Sequence, residues 1–271
     1  MTTSEADRAD AQFEDGFASL DWQGAPVDCA HCPQAALLRA GLCRLGHACF
    51  ADRYARRIDR YFAWNPGLAN EYLTHPYFEL RAVAAKYADL FQLPALLHDV
   101  DETVRWSAAQ RLPARYLQAL SSDEHREVRI RVALRLEPAR LAAMIGDADY
   151  YVRLQVARRL PLPLLASMRR DADVQVRLEV ARRLPIAALL AMKDDVDAAV
   201  RRVVAQRLPP ALLLSLLADP DWQVRYEVAR RVESVQLAAL LADEDEAVRE
   251  VARRRLGMPG AHTETWLEYE E

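Results

Sequence analysis

Glycine is scarce in this chain: 8 residues in 271, about 3% against the roughly 7% of average usage. Neither GxGxxG nor GxxxxGK[ST] occurs, so folds that cradle phosphates on glycine-rich loops find no support. Long apolar runs are missing too. The longest stretch without a charged side chain is 208–218, far short of the roughly 20 residues a membrane helix needs, so no membrane association is expected. The first sixteen residues, MTTSEADRADAQFEDG, are acidic and hold no apolar run; no signal peptide is visible and the expected location is the cytoplasm. Lysine is nearly absent, with Lys86 and Lys193 its sole examples, and cysteine does not occur after residue 49. GxSxG, HExxH and EF-hand loops are lacking, so the chain is not expected to be an enzyme. No alternating apolar and polar run rich in β-branched residues appears, which argues against strands.

What is present is a repeat. Aligned on itself, the chain shows a period of 24 with the core V-R-x-x-V-A-x-R-L, starting at Leu80, Val104, Val128, Val152, Val176, Val200, Val224 and Val248. Counting that first residue as zero, Arg stands at plus one in all eight copies, from Arg81 to Arg249. Asp recurs at minus five (Asp99, Asp123, Asp147, Asp171, Asp195, Asp219, Asp243) and at minus three (Asp101, Asp149, Asp173, Asp197, Asp221, Asp245). An Asp ahead of an apolar-periodic run is a helix N-cap signal, because its carboxylate accepts orphan N–H groups. Positions zero, four and eight then form one buried stripe. Pro113, Pro161, Pro185 and Pro209 stop the helix at the residue before them. Leu at minus eleven and Leu or Met three residues later mark a short second helix, of a length that suits 3₁₀ geometry. One such pair cannot bury its apolar face alone, whereas stacked copies form a continuous core.

At 100° per residue, plus one points beside the buried stripe, so this arginine row needs partners. The Asp residues of the same or the adjacent unit are the expected ones, and Arg153, Arg177 and Arg201 are expected to be mostly buried. Positions six and seven are expected to flank or oppose the core. Arg158, Arg159, Arg182, Arg183, Arg230, Arg231, Arg253, Arg254 and Arg255 would there form a basic outer stripe. From Leu80 to Leu256 the chain holds 29 Lys and Arg against 25 Asp and Glu, so phosphate contact along that stripe is conceivable on charge grounds. Overall charge is −4, however, and aromatic residues such as Trp106, Tyr151, Trp222 and Tyr226 are not interleaved with the arginines at one repeat position. A protein partner is therefore favoured over nucleic acid.

The cysteines cluster as Cys29-x2-Cys32-x10-Cys43-x5-Cys49. Disulfides do not suit a cytoplasmic chain. Four thiolates suit structural zinc or an iron–sulfur cluster, and the pattern alone leaves both open. His31 and His47 adjoin these positions, but four cysteines already complete a ligand set. Gln34 to Leu42 reads as a short helix between the ligand pairs. Further on, Tyr54, Ile58, Tyr61 and Phe62 recur at helical spacing and predict a helix of about 13 residues that packs between the cysteine segment and the repeats.

The repeats, D-x-D-x-x-V-R-x-x-V-A-x-R-L at 24-residue length over residues of roughly 66 to 256, resemble the leucine-rich repeat variant family. The segment CAHCPQAALLRAGLCRLGHACF resembles the N-terminal segment carried by members of that family. The resemblance implies an all-α, right-handed superhelical solenoid in which each unit is an α-helix plus a short 3₁₀ helix, with a small N-terminal cysteine-cluster module. It implies one 4Fe-4S cluster on Cys29, Cys32, Cys43 and Cys49, with zinc the alternative. The expected organisation is 1–65 for the cluster module and connecting helix, 66–256 for the solenoid and 257–271 for an acidic tail in which Trp266 and Tyr269 act as anchors. The expected function is that of a protein-binding scaffold or redox-responsive interaction module. The alternatives are nucleic-acid binding along the Arg stripe and a small electron carrier.

Overall fold

The computed structural model describes residues 18–258. The expectations for the acidic start and for Trp266 and Tyr269 lie outside the described residues. The chain divides into two compact units, Met1–Leu136 and Glu137–Glu271.

In the first unit, helix α1 (Ala35–Arg39) lies within the cysteine loops and α2 (Ala55–Trp64) follows them. A 3₁₀ helix, Pro66–Tyr72, leads to the repeat helices α3 (Phe78–Tyr87), α4 (Glu102–Arg111) and α5 (Arg126–Arg135), separated by 3₁₀ helices Leu93–His98 and Ala114–Leu120. The second unit continues the alternation with α6 (Tyr150–Arg159), α7 (Val174–Arg183), α8 (Ala198–Arg207), α9 (Trp222–Arg231) and α10 (Glu246–Arg255). Its intervening segments include 3₁₀ helices Pro138–Met144, Pro210–Leu216 and Ser234–Leu240. In the other two, a single α-turn, Leu162–Leu165 or Ile186–Leu189, tightens into a 3₁₀ turn. Two isolated bridges, Leu20 with Pro26 and Arg44 with Ala48, are the β-type pairings recorded among the described residues. No helix of the described residues is long and apolar enough to cross a membrane.

The helices start and stop where local chemistry dictates. The minus-three aspartates are the N-caps: Asp101 accepts the Thr103 N–H, Asp173 that of Gln175, and Asp221 those of Gln223 and Val224. Where Tyr77 or His125 stands instead, no side chain caps the helix. At plus eight the backbone turns extended, as at Leu160 (ψ 138°) and Leu184 (ψ 141°), each just ahead of a proline. Val104, Val152, Val176, Val200, Val224 and Val248 are wholly buried, and so are Leu141, Leu165, Leu189, Leu213 and Leu237 from the second helices. Each such side chain contributes about 1.5–3 kcal/mol through burial.

The plus-one arginines form a ladder between successive repeats. Six of them reach both carboxylate oxygens of the minus-five aspartate in the following copy: Arg81 with Asp99, Arg105 with Asp123, Arg153 with Asp171, Arg177 with Asp195, Arg201 with Asp219 and Arg225 with Asp243, at 2.7–3.2 Å. The third guanidinium nitrogen donates to backbone carbonyls at minus five and minus four of its own copy, as Arg177 does to Asp171 (2.9 Å) and Ala172 (3.2 Å). The aspartate in turn holds the N–H of the residue two positions on. Burial pushes the Asp99 carboxyl upward, but hydrogen bonds from Arg81 and the Asp101 N–H outweigh it and leave the carboxyl below its usual range. The Asp243 carboxyl is held low chiefly by Arg225.

The expected outer stripe needs correction. The plus-seven arginines turn inward and cap the end of the preceding repeat helix. Arg111 donates to the carbonyls of Ala85 (3.0 Å) and Ala88, Arg135 to Ala109 and Leu112, Arg183 to Ala157 and Leu160, and Arg231 to Ala205 and Leu208. Arg207 donates to Ala181, and Arg255 to Ala229 and Val232. These carbonyls belong to helix ends that have no intrahelical partner, and a cation there also meets the negative end of the helix dipole. Plus six faces outward, with Arg158, Arg182, Arg230 and Arg254 exposed, and of the plus-seven row Arg255 in the last repeat is exposed as well. The connecting helix α2 is also shorter than expected, at ten residues, because Asn65 and Pro66 end it.

Candidate metal centre

The cysteine segment is a series of tight turns pinned by short polar contacts. Asp28 accepts the Ala30 N–H at 2.8 Å, and its second oxygen lies 2.6 Å from His31 Nδ1, which arranges the Cys29–Cys32 turn. This contact raises the His31 pKa and lowers that of Asp28. The Gln34 N–H points at Cys32 Sγ (3.4 Å) as α1 begins. The helix expected over Gln34 to Leu42 covers only Ala35–Arg39, since Gly41, with φ of +71°, turns the chain back in a conformation L side chains rarely adopt. Gly46 repeats the device at φ +74°, within the Arg44–Ala48 bridge, where a Cβ would also touch Ser19 Oγ at 3.4 Å.

Helix α2 anchors the far side. The Cys49 N–H donates to the Arg57 carbonyl at 3.1 Å, and the Arg57 guanidinium donates to Asp52 at 2.8 Å with both side chains buried. Breaking such a pair by removing one partner costs about 3–5 kcal/mol. Asn65 ties the other loop, donating to the carbonyls of Leu42 (2.7 Å) and Tyr61 (2.9 Å). Pinned in this way, Cys29, Cys32, Cys43 and Cys49 all line one small pocket, walled by Val27, Leu38, Leu45, Phe50 and Tyr61. The four thiols are free. They surround the cavity rather than meet at a point: no three His, Cys, Asp or Glu side chains among the described residues are placed to share a single metal ion.

The electrostatics of the cavity disfavour bare thiolates. Burial pushes the Cys49 thiol up to about 11, despite N–H groups of Ala51 and Asp52 directed at it. Burial and then the neighbouring cysteines raise Cys29 and Cys43 as well. Sulfur ligands so placed become anionic when a positively charged metal group compensates them. The donor set therefore fits a thiolate-bound metal group. His31 and His47 do not line the cavity. The His31 side chain is exposed, while His47 packs against Trp64 with ring centroids 5.6 Å apart.

Sequence reasoning named the four cysteines but treated Tyr61 as one packing aromatic among several and passed over Asp52, Arg57 and Asn65. The buried pair had no visible signal, because an Asp and an Arg five residues apart are ordinary until the loop before α2 is seen to fold onto it. Tyr61 was detectable only as one member of a helical stripe.

A family profile described as "LRV protein FeS4 cluster" matches residues 19–71. A solved structure described as a leucine-rich repeat variant with a novel repetitive protein structural motif is 44% identical and superposes with a TM-score of 0.78, covering 84% of this chain and 98% of that one. A curated relative from Rhodobacter capsulatus, described as an uncharacterized 27.7 kDa protein in the nifB 3′ region, is 49% identical over 104 residues, which is 38% of this chain. The chain spans 42% of that relative's length. The repeats, and the cysteine module ahead of them, thus have counterparts in known proteins, and the chain belongs to the leucine-rich repeat variant family.

Proposed function

We propose that the chain is a non-enzymatic iron–sulfur repeat protein in which Cys29, Cys32, Cys43 and Cys49 hold one 4Fe-4S cluster and the repeats offer a surface to a protein partner. The observation that carries the first part is the set of four free thiols around one largely apolar pocket. A four-thiolate zinc site needs every sulfur about 2.3 Å from one ion. A cluster spreads its four cysteines around a larger body, which suits sulfurs that ring a cavity. When bound, such a group supplies one-electron transfer. With four thiolates taken up as ligands, no iron is left open to a substrate, which supports a role outside catalysis.

The second part rests on where the arginines go. The plus-one and plus-seven rows are occupied by Asp carboxylates and helix-end carbonyls, so the two rows that recur most strictly are withdrawn from any phosphate backbone. Among the outward arginines, Arg182 and Arg230 lie within 4 Å of Glu179 and Glu227. The varied positions between them carry Tyr150, Tyr151 and Trp222, exposed and differing from repeat to repeat, as suits one irregular protein partner. Binding to duplex DNA at rising salt tests this: weak, sequence-indifferent affinity is expected. Tight binding to a defined sequence, declining by about 0.9 in log K per phosphate neutralised for each tenfold rise in salt, would favour the nucleic-acid reading instead. A second reading, a small electron carrier, draws support from Leu38, Leu42 and Leu45, which stand exposed on and beside the cavity wall. Rapid electron exchange by a chain whose repeats bind no protein would select it.

A further inference from the structure

Among the described residues, Tyr61 is a polar side chain lining the cysteine pocket whose hydroxyl lacks a well-aligned hydrogen-bond partner. Its ring is wholly buried on α2, wedged among Phe50 (centroids 5.4 Å apart), Phe62 (5.2 Å) and Tyr72 (6.4 Å), so it has no route to solvent. Its hydroxyl is buried and has no hydrogen-bond partner of good geometry. The hydroxyl of Tyr72 lies beside it, near enough to interact but not in good hydrogen-bond alignment, and the Tyr72 oxygen already accepts from Gln34 Nε2 at 3.1 Å. Tyr61 lines the cavity with all four cysteines and is close enough to feel the charge of Cys43 and Cys32. A purely apolar filler would not need the oxygen, as Phe50 and Phe62 show in the same layer. Buried hydroxyls are normally paired, and one left without a partner in a cavity points to a group that belongs there.

We infer that the Tyr61 hydroxyl donates a hydrogen bond to a sulfur of the group held by Cys29, Cys32, Cys43 and Cys49, and so raises its reduction potential. The inference rests on the iron–sulfur reading above. Its physical basis is that hydrogen bonds to cluster sulfurs, together with burial, set the potential. Reduction adds negative charge to the group, and a donor aimed at sulfur stabilises that charge. Tyr61 acts on the potential and does not ligate. Its helix is fixed against the ligand loop by the Cys49 N–H bond to the Arg57 carbonyl and by the Arg57–Asp52 pair, so the hydroxyl is held in place before any group binds.

The test is potentiometry of the anaerobically purified full chain, followed by visible and electron paramagnetic resonance spectra. Tyr61→Phe keeps the ring and removes the donor: iron content should match the unaltered chain and the midpoint potential should move to a more negative value. Site-specific 3-fluorotyrosine at position 61, a more acidic donor, should move it the other way, and it keeps the test open if Tyr61→Phe loses iron. A merely structural ring would leave the potential unchanged in both variants, and that result would overturn the inference while leaving the iron–sulfur reading intact. Failure of the unaltered chain to hold iron would instead overturn the reading on which it rests.

Discussion

Replacing Arg225 by Met removes one rung of the arginine ladder while keeping most of the stem. Arg225 and Asp243 have side chains 7% and 5% exposed, joined by two contacts of 2.7 and 2.9 Å. The same guanidinium serves the carbonyls of Asp219 (2.8 Å) and Pro220 (3.2 Å). Removing one member of a buried pair costs about 3–5 kcal/mol, because the other charge stays buried. Two features set the value toward the low end. Asp243 keeps the Asp245 N–H at 2.9 Å, and of the two freed carbonyls the one at Pro220 belongs to an exposed residue. An upper bound also applies, since a stranded aspartate of ordinary pKa near 3.9 can take up a proton at pH 7 for about 4 kcal/mol. The expected loss at pH 7 is therefore about 3 kcal/mol, shrinking toward pH 5 as the proton becomes cheaper to bind. Urea unfolding followed by circular dichroism at both pH values measures it. Arg230→Met on the same helix is the control: its side chain is 55% exposed and 3.6 Å from Glu227, so it should cost no more than about 1 kcal/mol. Equal effects from the two substitutions, or an Arg225→Met loss that does not change with pH, would refute the reasoning.

Arg183→Met should destabilise by about 2 kcal/mol, because it strips the charged donor from the end carbonyls of α6. The neighbouring Arg182→Met should be near neutral, which chemical denaturation of both variants checks. Acid should loosen the ladder in a defined direction: the Asp99 and Asp243 carboxyls are lowered in the folded chain, so their contribution is present above the ordinary aspartate range and is lost as pH falls through their folded values. A pH titration of thermal unfolding should thus show stability falling below about pH 4. Cys43→Ser should lose the bound iron yet leave far-ultraviolet circular dichroism largely unchanged, since the repeats bury their own core.

The repeat period, the aspartate caps and the buried valine and leucine rows were legible because each is local: spacing within one helix and its first turn decides them. The pairing of plus-one arginines was legible in kind, since a charge beside a buried stripe demands a partner, although the choice of the next copy's minus-five aspartate awaited the stacked helices. The plus-seven arginines were misjudged. Their partners stand 23 and 26 residues earlier, at a helix end that comes near only when repeats pack. A signal did exist: Arg111, Arg135, Arg159, Arg183, Arg207, Arg231 and Arg255 hold one position, while plus six accepts Gln110, Leu134 and Gln206. Strict recurrence of a cation marks a fixed partner rather than a solvated face. In the cysteine module, the four thiols were evident from clustering alone. The hydroxyl of Tyr61 was not, because its surroundings depend on Phe50 and Tyr72 closing around it from separate segments.

The central claim is that one cavity gathers four thiols around an iron–sulfur group. Iron, zinc and acid-labile sulfide should be determined on full-length chain purified without air, together with its Mössbauer spectrum. The account predicts about four iron and four sulfide per chain, with iron lost when any one of Cys29, Cys32, Cys43 or Cys49 becomes serine. One zinc per chain with no iron or sulfide would contradict it.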